Sequence, residues 1–285
     1  MKKKPSILNV IIMVIGLIVL IYGLTQKSES TVLANEIDEA VVQAQVDKVD
    51  SSNNGKLILV SGDIYASDAL KDEYFNISQK SIKLKRVVEM YQWEQDCSTE
   101  CTYVKIWSES VIPSRNFDDA HKNPDTKQFD SEEFFQKKTY LGEYVLSDKL
   151  VNDLHYDTVM GPDEMMERFP EGGRYSVVGE YITNSNNLDN PTIGDFRIHY
   201  EYVKDKGVTV IAKQAGDSFE AFYTSNKKEI YDIIEGQQTA KEYIANMKKN
   251  NSLLGIILVV IGALFIFFGI GMTVLDVLKE RKQNK

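Results

Sequence analysis

Two cysteines, Cys97 and Cys101, are the only thiols in the 285-residue chain, and they sit four apart in "CSTEC". Three chemistries use such a pair. A structural zinc site needs four ligands, normally with a second pair elsewhere in the chain, and no second pair exists. A thioredoxin-like redox centre uses C-x-x-C at a helix start; here the spacing is one residue longer and the flanks are strand-like. A disulfide fits better. With "STE" as a three-residue loop, Cys97 faces Cys101 across the neck of a hairpin. The enclosed loop is short, so such a bridge would contribute only about 2 kcal/mol through chain entropy. The disulfide is favoured, with free thiols, and metal or redox chemistry, kept as alternatives.

The other residues dressed for chemistry are His121, Lys122 and Asn123 in "FDDAHKNPD", close to Asp118, Asp119 and Asp125. A histidine beside carboxylates can serve as a general base. No paired nucleophile accompanies it, and an anchor for a hydrogen-bonded loop is the commoner use. His155 and His199 stand alone, His199 as a structural residue in a strand. "DSEEFF" lacks the spaced oxygen ligands of a calcium loop and reads as a helix start whose acids complement the dipole. No phosphate-binding glycine loop, G-x-S-x-G or H-E-x-x-H occurs. No catalytic, cofactor-binding or metal-binding residue is assigned; no cofactor and no enzymatic activity are expected.

The element that must position the cysteines is a hairpin. Counting outward from "STE" pairs Gln95 with Tyr103, Trp93 with Lys105, Tyr91 with Trp107 and Glu89 with Glu109 on one face. Glu94 with Val104, Gln92 with Ile106 and Met90 with Ser108 lie on the other. Cross-strand aromatic and cation–π pairs contribute ~0.5–1 kcal/mol each, which makes Tyr91, Trp93 and Trp107 candidate core or contact aromatics. The facing Glu89 and Glu109 are a cost in this register.

The chain ends set the class. Ile7 to Leu24 and Leu253 to Leu275 are uncharged apolar runs, each able to cross ~30 Å of hydrocarbon at 1.5 Å per residue. A cleaved signal peptide is the competing reading of the first, but "VLA" at 32–34 lies too far from the apolar run. Lys2, Lys3 and Lys4 precede the first span, and Lys279, Arg281, Lys282 and Lys285 follow the second. Basic flanks of this kind mark cytoplasmic ends. The two tails together carry +5, leaving −14 of the net −9 on the intervening segment. A surface that acidic repels nucleic acid. Asn9, Gly16 and Gly23 repeat every seven residues, as do Gly255, Gly262 and Gly269. In an antiparallel pair Gly23 would face Gly255, Gly16 would face Gly262, and Asn9 would lie near Gly269. Small residues on one stripe let membrane helices approach closely. Membrane lipids, and a protein partner or self-association through these helices, are the expected partners.

The sequence therefore predicts an α+β membrane protein. A cytoplasmic tail covers 1–6, a first span 7–24, an extracytoplasmic domain 25–252, a second span 253–275 and a cytoplasmic tail 276–285. Within the domain, an amphipathic helical linker is expected over 30–50, a β unit over 55–110, a middle segment over 111–171, a β unit over 172–224 and a juxtamembrane helical segment over 229–250. Ser147 is a candidate N-cap of a short helix, and Thr239 of the last one. Gly55, Val60, Gly62 and Asp63 align with Gly172, Val177, Gly179 and Glu180 at a constant offset, which reads as two related β units.

Several blocks carry a family resemblance. "VEMYQWEQ", "WSESVIPSRNFDDAHKNP", "GDFRIHYEYV" and "VTVIAKQAGDSFEAF" resemble the transmembrane protein 43 family, also called LUMA, in the same order from about Gly55 to the second span. The resemblance implies an integral membrane protein with a large lumenal or outer domain. Its eukaryotic members look like structural organisers of the inner nuclear and endoplasmic-reticulum membranes, with lamin and emerin as partners. No catalytic residues come with the family. Animal members have further hydrophobic spans beyond the equivalent of Leu275, and the "MKKK" start suggests a bacterial member. Without a lamina the nuclear role does not transfer; membrane organisation or scaffolding is what the resemblance leaves, with an envelope sensor or a lipid- or peptide-binding module as the alternative.

Overall fold

A computed structural model describes residues 6–98, 100–168, 175–185 and 187–283. Both apolar runs lie inside much longer helices. Helix α1 spans Ile7–Ala40, 34 residues, and so extends well beyond the ~30 Å of a hydrocarbon core. The linker expected over 30–50 is not a separate helix. Its first part continues α1, because neither glycine nor proline interrupts the chain between Leu24 and Ala40. The rest is extended: strand β1, Val42–Gln43, and a single 3-10 turn at Ser51–Asn53.

The chain then forms β2 (Leu57–Ile64), a small hairpin of β3 (Ala69–Asp72) and β4 (Ile77–Lys80), and the long hairpin of β5 (Lys83–Asp96) and β6 (Thr102–Ser108). Where "DSEEFF" predicts a helix start, the structure has strand β7, Glu132–Phe135. It pairs with β5, setting Glu132 opposite Arg86, so tertiary pairing overrides the local acid signal. Strands β8 (Thr139–Leu141) and β9 (Tyr144–Leu146) lead into α2, Asp148–Asn152, whose cap Ser147 accepts a bond from the Leu150 amide through its hydroxyl. β10 (Thr158–Val159), α3 (Pro162–Arg168), β11 (Ser176–Val178) and β12 (Tyr181–Thr183) follow. Next come β13 (Phe196–Val203), β14 (Lys206–Ala215), β15 (Ser218–Glu220) and β16 (Phe222–Tyr223). The segment 229–250, expected to be helical, starts as strands β17 (Glu229–Ile230) and β18 (Asp232–Glu235). Three isoleucines at 230, 233 and 234 do not distinguish the two periods; the open edge of β14, which β18 joins with Ile233 opposite Val210, decides for strand. Helix α4, Ala240–Gln283, closes the fold.

Two seven-stranded sheets result. One runs β15-β14-β2-β8-β9, with β1 and β18 beside β2 and β14; the other runs β11-β12-β13-β5-β6, with β10 and β7 beside β13 and β5. The β units expected at 55–110 and 172–224 are therefore not two bodies. Each sheet takes one long strand from each unit: β2 with β14, β5 with β13. Nor do the offset residues share roles. Gly62 lies within β2, whereas Gly179 has φ +60° in the turn between β11 and β12. Gly172 lies outside the described residues.

Strand β2 is buried on both faces, which explains its unbroken "LILV". Ile58, Val60 and Ile64 pack with Val208, Val210, Tyr144 and Leu150. Leu57 and Leu59 pack with Leu33 and Ile37 of α1 and with Tyr243 and Ile244 of α4. The helices thus pass from the apolar spans directly into a core of the domain. The second sheet buries Leu84, Val88, Ile198 and Tyr200 against the β3–β4 hairpin and α3.

Along the spans, α1 and α4 run antiparallel in close contact. A Cβ added at Gly16 would lie 2.8 Å from the Gly262 carbonyl oxygen, at Gly23 3.0 Å from that of Gly255, and at Gly269 3.0 Å from that of Asn9. Asn9 is buried, and its amide nitrogen donates to Asp276 at 3.0 Å. The large apolar residues on the other faces, Phe267 and Leu264 among them, point outward, as lipid contact requires. Gly262→Leu would drive a side chain into the Leu20 amide, 2.6 Å from the added Cβ. Overpacking of this kind costs about 1–3 kcal/mol, so the thermal midpoint of the detergent-solubilised chain should fall by several degrees. Gly271→Leu, where a Cβ meets nothing within 4 Å, should leave it unchanged.

Candidate functional site

The β5–β6 hairpin has the register that the sequence counts out from "STE", from Asp96 opposite Thr102 to Met90 opposite Ser108. The sulfurs of Cys97 and Cys101 meet at its neck, with Cα atoms 4.1 Å apart. Period-two alternation sends Met90 and Gln92 inward and Tyr91 and Trp93 to the outer face, where they are half-buried. There the Lys105 ammonium lies 4.9 Å from the Trp93 ring, Tyr91 packs on Trp107 at 5.1 Å, and the Arg197 guanidinium of β13 is held 4.7 Å from both Trp107 and Tyr181. Both tryptophans belong to a ladder of rings and cations outside the core, and their faces are occupied by the protein's own side chains.

The expected clash of Glu89 with Glu109 does not form, because β6 ends at Ser108. Glu89 instead accepts from Arg197 Nε at 2.7 Å, and Glu109 lies 3.5 Å from Lys85. Burial alone would raise the Glu109 carboxyl, but the Ser131 hydroxyl and the Lys85 charge outweigh it and hold the pKa below the ordinary value. His199 lies on the same face, 3.4 Å from Glu201 and 4.0 Å from Glu89.

The run His121–Lys122–Asn123 is a clamp that fastens the loop after β6 back onto the hairpin. The His121 ring stacks on Tyr103 at 3.9 Å and meets Trp93 edge-on at 4.5 Å. Its Nδ1 is 2.6 Å from Asp118, a hydrogen bond that holds the Asp118 carboxyl below its ordinary pKa. Lys122 donates to the carbonyls of Ser114, Arg115 and Phe117. Asn123 imitates a neighbouring strand: its Oδ1 accepts from the Trp93 amide at 2.7 Å, and its Nδ2 donates to the Trp93 carbonyl at 2.9 Å. Among the described residues no hydroxyl or thiol is hydrogen-bonded to His121, and no three His, Cys, Asp or Glu side chains gather as metal ligands.

A polar centre that the motifs do not announce lies beneath the second sheet. Arg86 occupies an inward position of β5, in line with Ile82, Leu84 and Val88, and is 7% exposed. Its Nη1 donates to Asp72 at 2.5 Å and its Nη2 to Glu132 at 2.8 Å, while the Tyr200 hydroxyl donates to Asp72 at 2.7 Å. Burial, reinforced by the Asp72 charge, pushes the Tyr200 phenol far above its ordinary range; burial opposes the guanidinium charge, but Asp72 more than restores it. The signal in the sequence was an arginine at an apolar parity position. These four residues come from β3, β5, β7 and β13, and only folding brings them together.

Comparison with known proteins places these features in context. Residues 83–279 match the family model for Transmembrane protein 43. Transmembrane protein 43 of Mus musculus is 27% identical over 251 residues, covering 79% of this chain and 62% of its own length. The Homo sapiens protein is 26% identical over the same coverage, and the Drosophila melanogaster homolog 23% identical over 76% of this chain and 61% of its own. The chain spans about three fifths of the length of the curated relatives it matches. No solved structure matches it.

Two substitutions should separate the buried node from the loop clamp in chemical denaturation. Arg86→Met strands the Asp72 carboxylate in the core and should cost ~3–5 kcal/mol. Asn123→Ala unpairs the Trp93 backbone and should cost ~1–3 kcal/mol, more than His121→Ala.

Proposed function

The chain belongs to the transmembrane protein 43 family, and from that premise we propose that it is a membrane-anchored scaffold whose outer domain organises membrane or envelope components. One observation carries the reading: the two spans close on each other along a glycine seam and continue, as α1 and α4, into the core beneath β2. Such a connection transmits the position of the membrane hairpin to the domain without a flexible linker. The basic tails favour cytoplasmic termini in the cell membrane and an extracytoplasmic domain. Lipids meet the outward faces of the spans, and a protein partner or second copy is engaged through those faces or the outer domain. The absence of an enzymatic role is part of the proposal; the His121 ring is already committed to Tyr103, Trp93 and Asp118. The alternative, a sensor or lipid- or peptide-binding module, is favoured by one observation, a cavity lined by the buried Thr139.

In an oxidising compartment Cys97 and Cys101 form a disulfide. Alkylation of the membrane-inserted protein without reductant should leave both thiols unmodified, and Cys97→Ser with Cys101→Ser should lower stability by about 2 kcal/mol. Crosslinking in native membranes tests the scaffold itself: defined adducts with another membrane or envelope protein, or with a second copy, are expected. Recovery of the isolated monomer alone would overturn the reading.

A further inference from the structure

The end strands of the first sheet meet: the Val145 amide of β9 donates to the Asp217 carbonyl, beside β15, at 2.8 Å. The second sheet ends instead in the three-residue β11 and in β6, which pairs on one side only, with β5. The direction of the β6 backbone follows from β5. The amide and carbonyl of Tyr91 are taken by Asp195 and Gly194, in line with β13 and away from β6; those of Trp93, at the same parity, are taken by Asn123. Residues opposite each other in an antiparallel ladder exchange both bonds or neither. Trp107 and Lys105, which face Tyr91 and Trp93, therefore bond outward, as does Tyr103 at the same parity. Their amides and carbonyls have no partner among the described residues. No proline interrupts β6, and its register against β5 is unbroken by a bulge, so the edge lacks two of the usual guards. One cation stands at its middle: Lys105 is exposed, lies over the Trp93 ring and forms no ion pair among the described residues. On the opposite face Val104 is 50% exposed and Ile106 half-buried.

We propose that β6 receives an extended segment of a partner protein as an added antiparallel strand, with a carboxylate opposite Lys105 and apolar β-branched residues opposite Val104 and Ile106. The proposal rests on the scaffold reading and names the contact through which the outer domain holds its partner. The outward amides and carbonyls of Tyr103, Lys105 and Trp107 supply the main-chain bonds, and alternate side chains select the sequence. A second copy fits the edge poorly. The register that pairs all seven residues of β6 with themselves centres on Lys105 and sets one lysine opposite the other, which is destabilising. A carboxylate at that place turns the same position into a cross-strand ion pair.

The test is fluorescence anisotropy of a labelled peptide, Thr-Thr-Val-Glu-Val-Thr-Thr, with the full chain in nanodiscs and empty nanodiscs as the blank. Saturable one-to-one binding is expected. Replacing the central glutamate by lysine should weaken it ~3–10-fold. Lys105→Glu should reverse that preference, so that the lysine peptide binds the tighter, a gain that an unfolded variant would not show. Methylating the glutamate nitrogen, which faces β6, should abolish binding; methylating the two valine nitrogens, which face away, should not. Anisotropy equal to that with empty nanodiscs, equal affinity of the native chain for the two peptides, or indifference to the place of the methyl groups would each overturn the proposal. So would a dimer in light scattering that excess peptide dissociates, which would give the edge to a second copy. Crosslinked adducts in native membranes alongside a peptide that does not bind remove this edge and leave the scaffold. A bound peptide with no adduct removes the scaffold and leaves β6 as a peptide-binding edge.

Discussion

The close approach of α1 and α4 is the contact on which the rest of the chain depends. These helices hold the two ends of the described fold, and everything between Ala40 and Ala240 must leave and return to the same place. Glycine makes that approach possible: at Gly16, Gly23 and Gly262 the neighbouring backbone stands where a side chain would begin. In lipid no hydrophobic effect drives helices together, so van der Waals packing along such a stripe must supply the association. The buried Asn9–Asp276 hydrogen bond fixes the register at one end, and Leu33, Ile37, Tyr243 and Ile244 continue the contact at the other.

The sheet arrangement follows from that closure. Because the chain returns beside its starting point, β14 pairs along its length with β2 as well as with β15 of its own unit, and the helices cover the outer face of both β2 and β14. The second sheet is joined to the first by the short turn between β13 and β14. Its inner side contains the buried Arg86–Asp72 pair. A buried arginine–carboxylate pair contributes little net stability compared with apolar residues of similar volume in place of both partners. What it contributes here is register, since Arg86 is satisfied only when β3 and β7 stand in alignment with β5, and the Asp72 that it pairs with also accepts from Tyr200 of β13.

Much of the outer hairpin was legible in the sequence because its information is local. A three-residue loop between two cysteines fixes which residues face each other, and alternation fixes the face. The clamp formed by His121, Lys122 and Asn123 was legible only as a cluster of polar residues. Its actual task, imitating a strand at Trp93, depends on a loop folding back thirty residues. The helix expected at "DSEEFF" and the helical start expected at 229 failed for a common reason: short segments with weak periodicity take the conformation of the sheet edge that they meet.

The sequence by itself determined the two apolar helices, their matched seven-residue seams, the strand-rich character between them and the hairpin register. Each rests on composition or on a period carried by neighbouring residues, which the chain states directly. Only the tertiary structure decided that the two β units interleave, that Arg86, Asp72, Glu132 and Tyr200 meet in one network, and that the Thr139 hydroxyl is buried with no partner among the described residues. Those outcomes depend on which distant strands pair, and pairing is settled by the summed burial of whole faces rather than by any local run of residues.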